Sequence, residues 1–133
     1  MTRFLPVLSA ALLCCAAPVV GAATPADACA NLGEARSALV AMVGEADAAK
    51  LDGHKAMVHE ASAKLDADLA AMATGPDAAK ASAFKPVWDA FVQTRETEIM
   101  PALYAGDKKK AKGLATGVQA GRMKEMKAAM GCQ

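Results

Sequence analysis

The stretch Pro25-Ala26-Asp27-Ala28-Cys29-Ala30-Asn31-Leu32-Gly33-Glu34-Ala35-Arg36-Ser37-Ala38-Leu39-Val40-Ala41-Met42-Val43-Gly44-Glu45-Ala46-Asp47 decides the fold. Within it, Ala28, Leu32, Ala35, Leu39, Met42 and Ala46 recur at alternating spacings of four and three. That is the seam of a helix with one apolar face. Pro25 stands where proline suits a helix start, because its missing N–H would have no partner there anyway. The pattern predicts a first helix over 26–47.

The same spacing returns three times. Met57, Val58, Ala61, Leu65, Leu69 and Met72 predict a second helix over 53–73, and Thr74-Gly75-Pro76-Asp77 marks its stop. Phe84, Val87, Trp88, Phe91, Val92, Arg95, Ile99 and Leu103 form the third stripe. Pro86 is expected in the first turn of that helix, and Pro101 is expected to kink its end. Tyr104-Ala105-Gly106-Asp107 reads as a helix end followed by a new cap. The fourth stripe is Ala111, Leu114, Ala115, Val118, Arg122, Met126 and Met130, ended by Gly131 and Cys132. Four amphipathic helices joined by short links predict an all-α, up-down-up-down antiparallel four-helix bundle.

Composition agrees. Alanine fills 34 of the 133 positions, whereas Ile, Tyr and Trp occur once each. Alanine loses no side-chain entropy in a helix, so all-β and doubly wound α/β folds are excluded. The chain has room for one domain. Its apolar fraction of 54% is largely methyl groups, which make a thin core in need of a staple.

The N-terminus supplies the setting for one. Met1-Thr2-Arg3, the apolar run from Phe4 to Val20 and the small residues Gly21-Ala22-Ala23 are the three parts of a secretory signal. Cleavage after Ala23, or one residue earlier, is expected, with residues 1–23 as signal peptide and 24–133 as the bundle. Pro6, Pro18 and the shortness of the run argue against a retained anchor. Leu13 before Cys14 makes a poor lipoprotein signal. The mature form is thus expected to be periplasmic and not membrane-spanning. Cys29 and Cys132 remain, one near each end, and two cysteines in an exported chain predict one disulfide. In an up-down-up-down bundle the first helix starts where the fourth stops, so the two cysteines should be neighbours. A loop of ~100 residues closed in this way contributes about 4–5 kcal/mol in the chain-entropy model.

Charge is split along the chain. Residues 24–79 carry four basic and nine acidic side chains, and residues 80–133 carry ten basic and five acidic. Opposite halves satisfy each other, so nucleic-acid binding is not expected. The run Lys108-Lys109-Lys110 sits at a helix N-terminus, where the macrodipole disfavours cations.

Arg95 and Arg122 fall on the core stripes of helices three and four. An arginine facing a bundle core must be paired or must meet an anion. One reading is an interhelix bridge, Arg122 with Asp89 or Arg95 with an acid of the first two helices. The other is a clamp for a small carboxylate. Gly117 and Gly121 clear space either for the Phe91 ring or for the floor of a pocket. His54, His59 and Met57 lie early in helix two, with Met42 and Met100 at the same end of the bundle, and these donors would suit copper or haem iron. No Cys-x-x-Cys-His is present for covalent haem. No nucleophile elbow, phosphate loop or His-Glu-x-x-His occurs, so a non-enzymatic role is expected.

From Trp88 to Lys124 the sequence follows W-x-x-F, then R-x-x-E-I-x-P-A-L, Gly106-Asp107, and G-x-Q-x-x-R ending at Arg122. This resembles the four-helix-bundle sensory module of bacterial methyl-accepting chemotaxis proteins and related sensor kinases. The resemblance implies a periplasmic domain that binds a small molecule between helices, often as a homodimer. It implies a small-molecule ligand or a membrane receptor as partner. For such a ligand the core-facing Arg95 and Arg122, with Trp88 and Gln119, are the expected contacts, and no cofactor is expected. Receptors of that family carry a second transmembrane helix and a signalling domain, so the expectation here is a free-standing exported copy. Two alternatives remain at this point. The layout is also similar to b-type four-helix cytochromes, although methionines stand where their last helix has a histidine. The third reading is a structural or interaction module.

Overall fold

The computed structural model describes residues 21–133. All but the last three residues of the expected leader lie outside them. The helices are α1 (Pro25–Gly44), α2 (Leu51–Met72), α3 (Ala78–Thr94), α4 (Met100–Tyr104), α5 (Lys108–Thr116) and α6 (Val118–Met130). They form four rods. The first two are α1 and α2. The third is α3 continued through a π-helical turn (Arg95–Ile99) into α4, and the fourth is α5 continued into α6. The rods run up and down as an antiparallel bundle, with α1 packed chiefly on α2 and α3 chiefly on α6.

Local chemistry sets the ends. At the start of α1 the Thr24 hydroxyl accepts from the Asp27 N–H, and the Asp27 carboxylate accepts from the Thr24 N–H, a reciprocal cap. The Thr24 hydroxyl also donates to the Asp27 carboxylate, and this bond, with that of the Thr24 N–H, holds the Asp27 carboxyl below its ordinary pKa. α1 stops at Gly44, short of the predicted end, and leaves Ala46 exposed. A 3-10 turn (Ala48–Lys50), capped by Asp47, then leads into α2. Gly106 takes a left-handed φ of +78°, which ends α4 with the Asp107 N–H bonded to the Ala102 carbonyl. The Asp107 carboxylate then accepts from the Lys110 N–H and starts α5 as predicted.

The expected core stripes are largely buried: Ala28, Leu32, Ala35, Leu39 and Met42; Val58, Ala61, Leu65, Leu69 and Met72; Phe84, Trp88, Phe91, Ile99 and Leu103. Met57 is the exception in the second stripe, at 56% exposed. Two proline expectations resolve differently. Helix α3 begins at Ala78, so Pro86 lies inside it and not in its first turn. Pro86 and Ser82 are both exposed, so the carbonyl freed of its helical partner can meet water. Pro101 does disturb its rod. Its ring would press on the Thr97 carbonyl in an α-helical path, and the chain widens into the π turn, with the Met100 N–H returning to the Arg95 carbonyl.

The fourth rod breaks at Gly117, where φ is −95° and ψ is −100°. A Cβ there would lie 2.8 Å from the Gly113 carbonyl oxygen, so the bend requires glycine. It also shifts the buried face. Gln119, Met123, Met126 and Met130 take the core, while Val118 is 44% exposed and Arg122 is half-buried. The expected stripe through Val118 and Arg122 is corrected accordingly. At the far end Gly131, again at φ +78°, turns Cys132 onto Cys29, and the Cys132 N–H bonds the Lys127 carbonyl. The Cys29–Cys132 disulfide is present, with a Cα separation of 5.6 Å. No described helix is long and apolar enough to cross a membrane.

Candidate functional site

Arg95 is 2% exposed. The π turn carries it toward α2, where its guanidinium donates to the Ser62 hydroxyl at 2.7 Å. Its Nε donates to Glu96 at 2.8 Å, and the guanidinium carbon lies 5.9 Å from the centre of the Trp88 ring. Glu96 reaches on to His59 Nε2 at 3.1 Å. Burial raises the Glu96 pKa, but the Arg95 hydrogen bond and charge, with His59, outweigh it and hold the carboxyl below its ordinary value. Ser62 hands its own hydroxyl hydrogen to the Val58 carbonyl, which leaves its oxygen for Arg95. The acid that serves Arg95 is thus its own chain neighbour, while the first two helices contribute a hydroxyl.

Arg122 faces another way. It donates to the Thr94 hydroxyl at 2.7 Å and to the Gln119 side-chain oxygen at 3.0 Å. Gln119, 2% exposed, donates to the Phe91 carbonyl at 2.8 Å. Asp89, the partner expected for Arg122, pairs instead with Lys85 one helical turn away. Trp88 is buried, donates through its indole N–H to Asp66 at 2.7 Å, and stacks on Phe91 with ring centres 5.5 Å apart.

The expected contacts do not share one depression. Trp88 lines an open groove of about 810 Å³ between α2 and α3. Arg122 lines a shallow one with Val118, Gly121 and Glu125. Gln119 lies in a third, and Arg95 lines none of these. Gly121 borders the shallow groove, and no side chain stands within 4 Å of where its Cβ would be. It therefore does not make room for the Phe91 ring.

The histidines are held apart by different acids. His54 Nε2 lies 3.0 Å from Glu45, and its buried Nδ1 has no partner. The Asp47 backbone N–H and then His54 pull the Glu45 carboxyl down to about 2. Met42 and Met100 are buried in the core. Among the described residues no group of three or more His, Cys, Asp or Glu is arranged to hold a metal ion.

The third depression is a cleft of about 530 Å³ between α1 and the fourth rod, more enclosed than the other two. Leu39, Val43, Phe91, Ala120 and Met123 form its walls, and Gln119 lies among them. Val40, 56% exposed, borders it. Arg36, Lys108 and Lys112 line it, and no carboxylate does. Lys108 donates to the backbone carbonyls of Glu45 and Ala46, at 3.0 and 3.3 Å. That accounts for one cation of the Lys108-Lys109-Lys110 run: it bonds the carbonyls of the two residues just past Gly44, beside the C-terminus of α1, where positive charge is favoured. Nothing in the structure explains Lys109 and Lys110. Arg36 and Lys112 make no ion pair among the described residues.

Sequence periodicity did not single out this cleft. Arg36 and Lys112 fall outside the apolar stripes of their own helices, and only the packing of α1 against a broken fourth rod brings them to one opening. Gln119 is the single expected contact that lines it.

Fold and geometry together define a small, disulfide-stapled, antiparallel four-helix bundle with one apolar cleft rimmed by cations. The chain matches no protein-family model, no curated protein and no solved structure at a significant level.

Proposed function

We propose that this chain is an exported, non-enzymatic binding module that takes a small molecule into the cleft between α1 and the fourth rod. The carrying observation is the cleft itself: about 530 Å³, within the range of small-molecule sites, with apolar walls and a few polar groups. Export is supported by the N-terminal signal pattern and by a disulfide that belongs in an oxidising compartment. The resemblance to sensory modules supports recognition between helices and, on that model, docking of the loaded form to a membrane receptor. Arg95 and Arg122 then serve as positioning residues. Arg122 orients the Gln119 side chain, and Arg95 fixes α2 against the third rod.

The test is Ala120→Trp, which fills the cleft from a half-buried position. A neutral apolar dye such as Nile red is expected to bind the disulfide-intact protein, and the variant is expected to lose that binding with unchanged helix content. Equal dye binding by both proteins places the site elsewhere and sinks the reading. The mass of the protein recovered from cells should correspond to a chain that begins at Thr24 or Ala23; an uncleaved chain overturns the export part.

A further inference from the structure

We infer that the occupant of the cleft is an amphipathic anion of the fatty-acid class, its carboxylate held by Arg36 and Lys112 and its alkyl chain lying along Leu39, Val43 and Met123. This rests on the cleft being the binding site and goes on to name what fits it. Four observations converge. First, the cleft is lined by three cations and no carboxylate, so a cationic ligand meets only like charge. Second, Lys108 is engaged by the carbonyls of Glu45 and Ala46, whereas Arg36 and Lys112 have no ion pair among the described residues.

Third, the other polar side chains of the cleft, buried Gln119 and exposed Thr116, are already engaged by the protein. Gln119 gives its amide hydrogen to the Phe91 carbonyl and takes one from Arg122, and the Thr116 hydroxyl donates to the Lys112 carbonyl. A sugar or an amino acid would bury several polar groups against these and leave them unpaired, at the full desolvation penalty. Fourth, the remaining wall is aliphatic and aromatic, and an exposed Val40 extends it outward. Polar recognition is therefore confined to the rim, and apolar contact to the interior. A molecule with one anionic head and one apolar tail satisfies both.

Titration calorimetry with octanoate, decanoate and dodecanoate, kept below their micelle concentrations, tests the assignment. Affinity should rise by about fourfold per methylene until the cleft is full. Decanol should bind roughly tenfold more weakly than decanoate, since it lacks the charge-assisted contacts. Decyltrimethylammonium should bind more weakly still. Arg36 and Lys112 are exposed, so Arg36→Gln with Lys112→Gln should keep the fold. The double variant should lose roughly tenfold for decanoate and nothing for decanol. Added salt should weaken decanoate alone.

Equal affinity for decanoate and decanol, or indifference to the double variant, overturns the anionic assignment while the cleft stands as the site. Preference for the ammonium overturns it as well. Decanoate binding that survives Ala120→Trp overturns both this inference and the proposed site. Anionic phospholipid vesicles provide the last arm: co-sedimentation with vesicles and no binding of monomeric decanoate would mean surface docking, against the inference.

Discussion

Two seams of the bundle are held in opposite ways. Between α2 and the third rod, side chains cross repeatedly from Trp88 to Tyr104. Trp88 bonds Asp66, Arg95 bonds Ser62, Glu96 meets His59, and the Tyr104 hydroxyl donates to Asp52. That last bond raises the Tyr104 pKa. An open groove lies in this seam too: it runs from Val92 past the Trp88–Asp66 pair toward the turn at 73–77, where Ala70, Ala73, Ala78 and Ala81 line it. Between α1 and the fourth rod the fastenings lie at the two ends. The Cys29–Cys132 disulfide closes one, and Lys108 on the carbonyls of Glu45 and Ala46, just past α1, closes the other. The cleft lies between them. Large polar groups, once buried, must find partners and so fasten a seam at each point where they cross it. Small apolar residues impose no such demand, and a seam built from them can stay open if its ends are held.

The largest test removes one of those ends. Cys29→Ser with Cys132→Ser should destabilise the protein by on the order of 4 kcal/mol, read from urea unfolding with midpoint and slope fitted separately for each protein, since the uncrosslinked denatured chain is more expanded. The loss should be uneven. Amide exchange should quicken first in α1 and α6, with α2 and α3 following only on global unfolding. Uniform acceleration through all four rods would show that the two seams are not held differently.

A smaller test compares the two arginines. Ser62→Ala removes the buried acceptor of Arg95 and should cost about 1–3 kcal/mol, because the guanidinium is left with an unpaired N–H away from water. Thr94→Val removes an acceptor of Arg122, which is half-buried and keeps Gln119 and access to solvent. It should cost less than about 1 kcal/mol. Equal losses would mean that the fold depends on Arg122 no less than on Arg95.

These contrasts also mark what the sequence could reveal. The four rods, their topology and the disulfide were legible, because apolar spacing reports which face is buried and an up-down-up-down bundle brings the first and last helix ends, with Cys29 and Cys132, to the same end. Arg95 was legible as a core arginine, though not its partners: a serine hydroxyl on another helix carries no periodic signal. The fourth stripe failed at Gly117. A bend that needs glycine looks, in sequence, like any helix-weakening glycine, yet it rotates Val118 outward and Gln119 inward. The cleft was illegible for the same reason. Its cations come from α1 and α5, and only the tertiary register joins them.

Gly117→Ala probes that bend. Its Cβ would stand 2.8 Å from the Gly113 carbonyl oxygen, a contact with backbone that no rotamer relieves. The rod must straighten or strain, at about 1–3 kcal/mol. Thr116 and Gln119, which flank the bend and line the cleft, would shift with it. The variant should therefore weaken decanoate binding as well as stability. A stability loss with unchanged binding would separate the bend from the cleft.

The smallest effect belongs to the end of the cleft seam fastened by Lys108. Glu45 lies beside that clamp, and its carboxyl is lowered from 4.5 to about 2 by the Asp47 N–H and by His54. A lowered folded-state value means the ionised form stabilises the fold above the ordinary pKa, and this stabilisation fades as pH falls toward about 2. Glu45→Gln removes the titration. Wild type should be the more stable of the two above 4.5, and the difference should shrink as the pH approaches about 2. Urea midpoints for both proteins across that window read the effect directly. Because the Glu45 carbonyl is itself an acceptor for Lys108, loosening the residue should ease the clamp and raise amide exchange at the end of α1, leaving Ser62 and its neighbours in α2 unchanged. Parallel acid curves for wild type and Glu45→Gln would assign the clamp to the backbone carbonyls alone, with the carboxylate playing no part in holding the cleft closed at that end.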